Sequence, residues 1–197
     1  MLYASADSAE ASVLRLADVE IRRAERGDLE ALLRLVLATY AHYYHPRRRL
    51  PDHRATRERL GRYLNVSPGF EAFLALDGDG DPLGYALYAR AFWTSECDLA
   101  LLLKEIFVFE QFRNLGIGGL LMRRVAEEAE SSKCCRLIWM VDRGNADAMR
   151  FYRRFEEVRD QRKVVMSVVR EDIGLVAKRA APLSRLAAVP FRVVGKS

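Results

Sequence analysis

Between Phe112 and Arg124 the chain reads FRNLGIGGLLMRR, with glycines at 116, 118 and 119 and an arginine at 113. Glycine lacks the Cβ that holds a ligand off the main chain, and it adopts positive φ without strain. Where a strand gives way to a helix, such a turn presents several backbone N–H groups that have no partner inside the helix. The helix dipole adds roughly half a positive charge at the same point. The chemistry on offer is anion binding, above all of phosphate brought close to the backbone.

Three ligand classes use this device. A triphosphate-cradling loop needs lysine and then serine or threonine after its last glycine, but Leu120 and Leu121 follow Gly119, which excludes it. A dinucleotide fingerprint needs a glycine where Leu121 stands, although Asp142 does end the next expected strand, where a ribose-binding acid would sit. The third class is coenzyme A, held by an Arg-x-x-Gly-x-Gly turn. Arg113, Gly116 and Gly118 match it at every position.

The elements that would position this turn follow from periodicity. A short strand is expected around Val19 to Arg22, then a helix capped by Asp28 with Leu29, Leu32, Leu33, Val36 and Leu37 as its apolar stripe. A hairpin is expected from Ala72–Leu76 and Leu83–Phe92, joined by the turn DGDGDP. That turn lacks the twelve-position ligand pattern of a calcium loop, so no metal is expected there. Leu99 to Phe109 reads as a strand buried on both faces. The glycine turn then opens a helix to about Ser131, with Arg123–Glu127 and Arg124–Glu128 spaced for exposed pairs. Cys134–Val141 reads as a buried strand, NADAMRFYRRF as a helix capped by Asn145, and KVVMSVV as a closing strand. The order implies one α/β domain with a mixed central sheet flanked by helices, over residues 18–170. Residues 1–17 read as a flexible tail and 171–197 as an extension of no assigned role.

Half of the 197 residues are hydrophobic and 30% are charged, the balance of a globular protein with a sizeable core. No apolar run approaches the roughly 20 residues of a membrane span, and the start has no secretory pattern. Cys97, Cys134 and Cys135 fit neither a disulfide framework nor zinc-ligand spacing, and read as reduced cytoplasmic thiols. The net charge of +5 is concentrated between Pro46 and Arg62, which holds seven arginines against Asp52 and Glu58. A solvated helical face is favoured there over a nucleic-acid surface.

The stretch IFVFEQFRNLGIGGLLMRRVAEEA resembles the acetyl-coenzyme-A-binding motif of the GNAT superfamily of N-acetyltransferases, and NADAMRFYRRF resembles its next signature, Asn-x-x-Ala-x-x-Phe-Tyr. The pattern is nearest to the diamine (spermidine/spermine) and thialysine acetyltransferases. The resemblance implies a splayed strand pair holding the cofactor. Ile106, Phe107 and Val108 would pair with the pantetheine arm, and the Val108 N–H would polarise the thioester carbonyl. Arg113, Asn114, Leu115, Gly116, Ile117, Gly118 and Gly119 would cradle the pyrophosphate, while Asn145 and Ala148 would touch the cofactor arm. Tyr152 would protonate the departing thiolate; a phenol of pKa about 10 is still protonated at neutral pH.

The resemblance also implies a glutamate base on the central strand, but Lys104 occupies that position and Glu105 is its neighbour. Strand alternation would point Glu105 to the wrong face unless a bulge intervenes. Glu71, Glu96, Asp98 or water are the alternatives, and His42, His45 and His53 read as surface residues. The function implied is acetyl transfer from acetyl coenzyme A to a primary amine, a small diamine-like or amino-acid-like acceptor, by direct attack in a ternary complex. Acetylation of a protein lysine or N-terminus, and acyl-coenzyme-A sensing without turnover, remain the alternatives. The family resemblance also admits a homodimer.

Overall fold

In the computed structural model, which describes residues 14–43, 52–161 and 165–179, strand alternation decides how the helices stack. Strand β2 (Glu71–Leu76) turns Ala72, Leu74 and Leu76 to one side, into a cluster with Leu32, Leu33, Leu35 and Leu60. Phe73, of opposite parity, stacks on Tyr88 with ring centroids 5.3 Å apart. Strands β1 (Glu20–Arg23), β3 (Pro82–Trp93), β4 (Asp98–Val108) and β5 (Arg136–Trp139) complete a sheet of order β1-β2-β3-β4-β5. Neighbours are antiparallel except β4 and β5, which run parallel.

Helices α1 (Leu29–Tyr43) and α2 (His53–Tyr63) cover the first side. Helix α3 (Ile117–Ser131) covers the other, burying Ile117, Leu121, Met122 and Val125 against β2, β3 and β4. The mixed sheet flanked by helices is the expected one. Local signals explain several boundaries. Asp52 caps α2 by accepting the Ala55 N–H at 2.7 Å. In the hairpin turn, Asp77 Oδ1 accepts the N–H groups of Asp79 and Asp81 at 3.1 and 2.8 Å. Asp28 does not cap α1 forwards; its carboxylate reaches back to the Glu25 N–H at 2.7 Å and grips Arg22 through both oxygens at 2.7 Å.

The chain divides into two compact units, residues 1–149 and 150–197. The second begins inside α4 (Ala146–Tyr152), continues through turns at Phe155 and Val158, and carries α5 (Arg170–Arg179), whose residues are all exposed.

Three further expectations are corrected. Residues 165–169 of the KVVMSVV stretch lie outside any strand, with Val165 66% and Met166 87% exposed; residues 163 and 164 lie outside the described residues. A β-branched run favours a strand only where an edge is there to pair with it. The strand expected over 134–141 is confined to Arg136–Trp139 and is half-exposed rather than buried; a turn in which Asp142 Oδ1 accepts the Gly144 N–H follows it. Arg124 pairs with Glu127 at 3.3 Å and not with Glu128, which is buried against the sheet with Arg23 and Arg90. The pairs Arg123–Glu127 and Arg54–Glu58 form as spaced, at 3.7 and 3.0 Å. His45 and Arg47–Arg49 lie outside the described residues. Among the described residues, no helix is long and apolar enough to cross a membrane.

Candidate active site

The site is built on the last third of β4. Parallel pairing between β4 and β5 stops at Leu103 with Trp139, yet β4 runs five residues further, to Val108. Phe109 donates its N–H to the Leu83 carbonyl at 3.0 Å. Hydrogen-bonded pairs alternate along an antiparallel ladder, so Phe107 and Glu105 also bond to β3. The N–H groups of Ile106 and Val108 therefore point the other way, to the edge that β5 has left. The strands splay there, as expected, and leave a row of unclaimed peptide groups.

The turn after β4 extends that row. Asn114 and Gly116 have φ of 64° and 92°, a left-handed geometry that glycine adopts without strain at 116. Gly116 caps α3, and its carbonyl accepts the N–H groups of Gly119 and Leu120 at 2.9 and 3.2 Å. The N–H groups of Asn114, Leu115, Gly116, Ile117 and Gly118 have no acceptor among the described residues. A Cβ built on Gly119 would have open space around it. Its lack of a side chain thus answers no packing demand within the protein.

Arg113 is anchored rather than free. Its Nε donates to the Val108 carbonyl at 3.1 Å and its guanidinium lies 5.7 Å from the Phe107 ring centroid. Its Nη2 stands 3.4 Å from His42 Nε2. The carbonyl of Val108 is thereby occupied while its N–H stays open.

Glu105 is where sequence and structure differ most usefully. Glu105 stands opposite Leu87, whereas Leu103 stands opposite Tyr88, so Lys104 is an extra residue in β4. This is a β-bulge, and beyond it the alternation resumes one residue out of step. Tyr85 and Phe107 face α1, through Thr39 at 3.2 Å and His42 at 6.1 Å between ring centroids. Glu105 shares their parity and joins that face, while Lys104 is exposed. Burial raises the carboxyl's pKa above the ordinary glutamate value, and only Lys104 opposes it.

Tyr43, at the end of α1, lies within electrostatic reach of Glu105, and its phenol stands beside the Asn145 side chain. Burial raises that phenol's pKa, and the Glu105 charge adds to the rise. Asn145 caps α4 as expected, its Oδ1 accepting the Ala148 N–H at 3.0 Å, so that N–H is already taken. Tyr152 ends α4, is 8% exposed, and packs edge-to-face on Phe151 at 5.0 Å.

The alternative bases are engaged elsewhere. Glu71 lies on the α3 side, ion-paired with Arg23 and Arg90. Glu96 pairs with Arg136, and Asp98 Oδ1 accepts the Leu99 N–H at 2.7 Å; both sit at the far end of β4. The sequence reading missed His42 and Tyr43, because the end of an amphipathic helix carries no signal of what it will touch. Among the described residues, no cluster of metal-ligating side chains assembles.

This strand, turn and helix are matched over residues 31–156 by the model of the acetyltransferase (GNAT) family. An uncharacterized N-acetyltransferase of Archaeoglobus fulgidus is 32% identical over 139 residues, covering 68% of this chain and 89% of that protein. The thialysine N-epsilon-acetyltransferase of Bos taurus is 30% identical over 149 residues, covering 70% and 83%. Among solved structures, an integron cassette protein from Vibrio cholerae superposes with a TM-score of 0.69 at 22% identity, over 82% of this chain and 98% of that one. The chain belongs to the GNAT family and is an N-acetyltransferase.

Proposed function

We propose that the chain transfers an acetyl group from acetyl coenzyme A to a small primary amine, diamine-like or amino-acid-like, by direct attack in a ternary complex. One observation carries the reading. The bare N–H groups of Ile106 and Val108 on the open edge of β4 are followed, one turn later, by the five bare N–H groups from Asn114 to Gly118. An extended amide-bearing arm ending in a diphosphate is complementary to both parts at once.

Each residue then has a task. Ile106, Phe107 and Val108 pair with the pantetheine arm, and the Val108 N–H stabilises negative charge developing on the thioester oxygen. Residues 114–119 hold the diphosphate, with Arg113 fixing the start of the turn. Asn145 and Ala148 border the arm from the start of α4. Glu105 takes a proton from the substrate ammonium so that the neutral amine attacks the thioester carbonyl, and Tyr152, assigned by its motif, gives one to the departing coenzyme sulfur. No covalent enzyme intermediate is needed, so Cys97, Cys134 and Cys135, all free thiols, have no part in the reaction. They fit a reducing, cytoplasmic setting.

The bulge at Lys104 favours turnover over silent binding, because it delivers a carboxylate of raised pKa to the α1 side of β4. The relative named for thialysine supports an amino-acid-like acceptor. Incubation with acetyl coenzyme A and a panel of amines, followed by free thiol and product mass, tests the reading. Acetylated amine with stoichiometric thiol is expected. Coenzyme binding without thiol release from any amine, peptide or protein overturns it in favour of a sensor.

A further inference from the structure

His42 ends α1 on the surface, yet its ring touches two residues of the coenzyme site. It meets Phe107 edge-to-face at 6.1 Å, and its Nε2 lies 3.4 Å from Arg113 Nη2. A guanidinium can only donate, so in this contact Nε2 is the accepting atom. Arg113 is then held at three points: the His42 nitrogen, the Val108 carbonyl at 3.1 Å and the face of Phe107 at 5.7 Å. The next residue, Asn114, is the first of the bare N–H turn and already has positive φ. Fixing the Arg113 side chain at these points restrains the backbone where it enters the turn. The neighbouring Tyr43 stands beside Asn145 on the β5 side.

We propose that His42 is a positioning residue for the coenzyme site, acting through Arg113 to fix the turn from Asn114 to Gly118. The proposal rests on the reading that this turn binds coenzyme A. A ring-nitrogen acceptor on one cation contributes about one charge-assisted hydrogen bond, so its loss is expected to weaken binding about tenfold.

The experiment is calorimetric titration of the full chain with coenzyme A. His42→Ala is expected to bind about tenfold more weakly with an unchanged melting temperature, since the side chain is exposed. His42→Gln, whose amide oxygen can accept from Arg113, is expected to restore most of the affinity; His42→Phe, which keeps only the ring contact, is expected not to. In an Arg113→Ala background, His42→Ala is expected to have no further effect, because the two act as one unit. Unaltered affinity in His42→Ala, or effects of the two substitutions that simply add, overturns the proposal and leaves the coenzyme site standing. No binding by the unsubstituted chain overturns both.

Discussion

Glu105 faces Leu87 across the sheet, one step out of register with the pairing of Leu103 and Tyr88. That single offset moves a carboxylate from the α3 side of β4 to the side lined by Tyr85, Phe107 and the end of α1. It also resolves a conflict within the sequence, where the position matching the family's base holds Lys104. In the proposed mechanism the bulge hands that role to the next residue along, Glu105.

Glu105→Gln is therefore expected to lower kcat/KM for the amine by about 100-fold, a usual size for loss of a general base. Coenzyme A affinity, by calorimetry, is expected to hold. The carboxyl's raised pKa also places the acidic limb of the pH–rate profile above the range of an ordinary glutamate. The sign for stability is opposite to that of an ion-paired acid. The folded state holds this proton more tightly than the unfolded chain, so stability falls as pH rises from the unfolded pKa through the folded one. Glu105→Gln should accordingly raise the melting temperature at neutral pH and leave it unchanged in acid.

Tyr152→Phe is expected to reduce kcat by roughly 100-fold while coenzyme A still binds, because only proton delivery to the sulfur is removed. Unchanged turnover would release Tyr152 from that task and leave its burial as a packing matter.

Gly119 and Gly116 are expected to separate folding from binding. Gly119→Ala meets nothing within 4 Å beyond its chain neighbours and the backbone of its own helix, and it replaces a helical glycine, so it should stabilise the fold by about 0.5–1 kcal/mol. The same methyl stands in the path of a close diphosphate, so coenzyme A affinity should drop by about tenfold or more. At Gly116, with φ of 92° and a Leu16 methyl 3.1 Å from the added Cβ, alanine should instead cost about 1–2 kcal/mol. Thermal melts beside calorimetry read both effects.

Asp28 is expected to govern part of the acid stability. Its hydrogen bonds from Arg22 hold the carboxyl below the usual aspartate value. The associated stabilisation is complete above the unfolded pKa, near 3.9 in free peptides, and is lost as pH falls through the lower folded value. Denaturant melts of Asp28→Asn should show lower stability at neutral pH and a shallower decline below about pH 4. Parallel curves for the two proteins would remove this pair from the account.

Local features of this chain were legible and distant ones were not. The glycine turn, the Asn145 cap and the aspartate-rich hairpin turn each depend on residues within a few positions of one another. Each stands in the structure as spaced. Leu99–Phe109 is apolar at almost every position, so period two could not show where the alternation slips at Lys104. Glu128 reads as a partner for Arg124 because they lie four apart on one helix. In the fold it turns to Arg23 and Arg90, which are 105 and 38 residues away and reach it only once the sheet forms. The sequence at 163–169 has strand composition, but no local pattern says whether an edge awaits it.

The early end of β5 carries a cost outside catalysis. Main-chain groups left bare for a guest molecule do not distinguish that guest from any other extended peptide, and an unfolding neighbour would serve as well. Lys104, exposed beside this margin, puts a positive charge next to it. Saturation with coenzyme should therefore prolong the protein's shelf life in concentrated solution, by shielding a template for clumping as much as by mass action on folding.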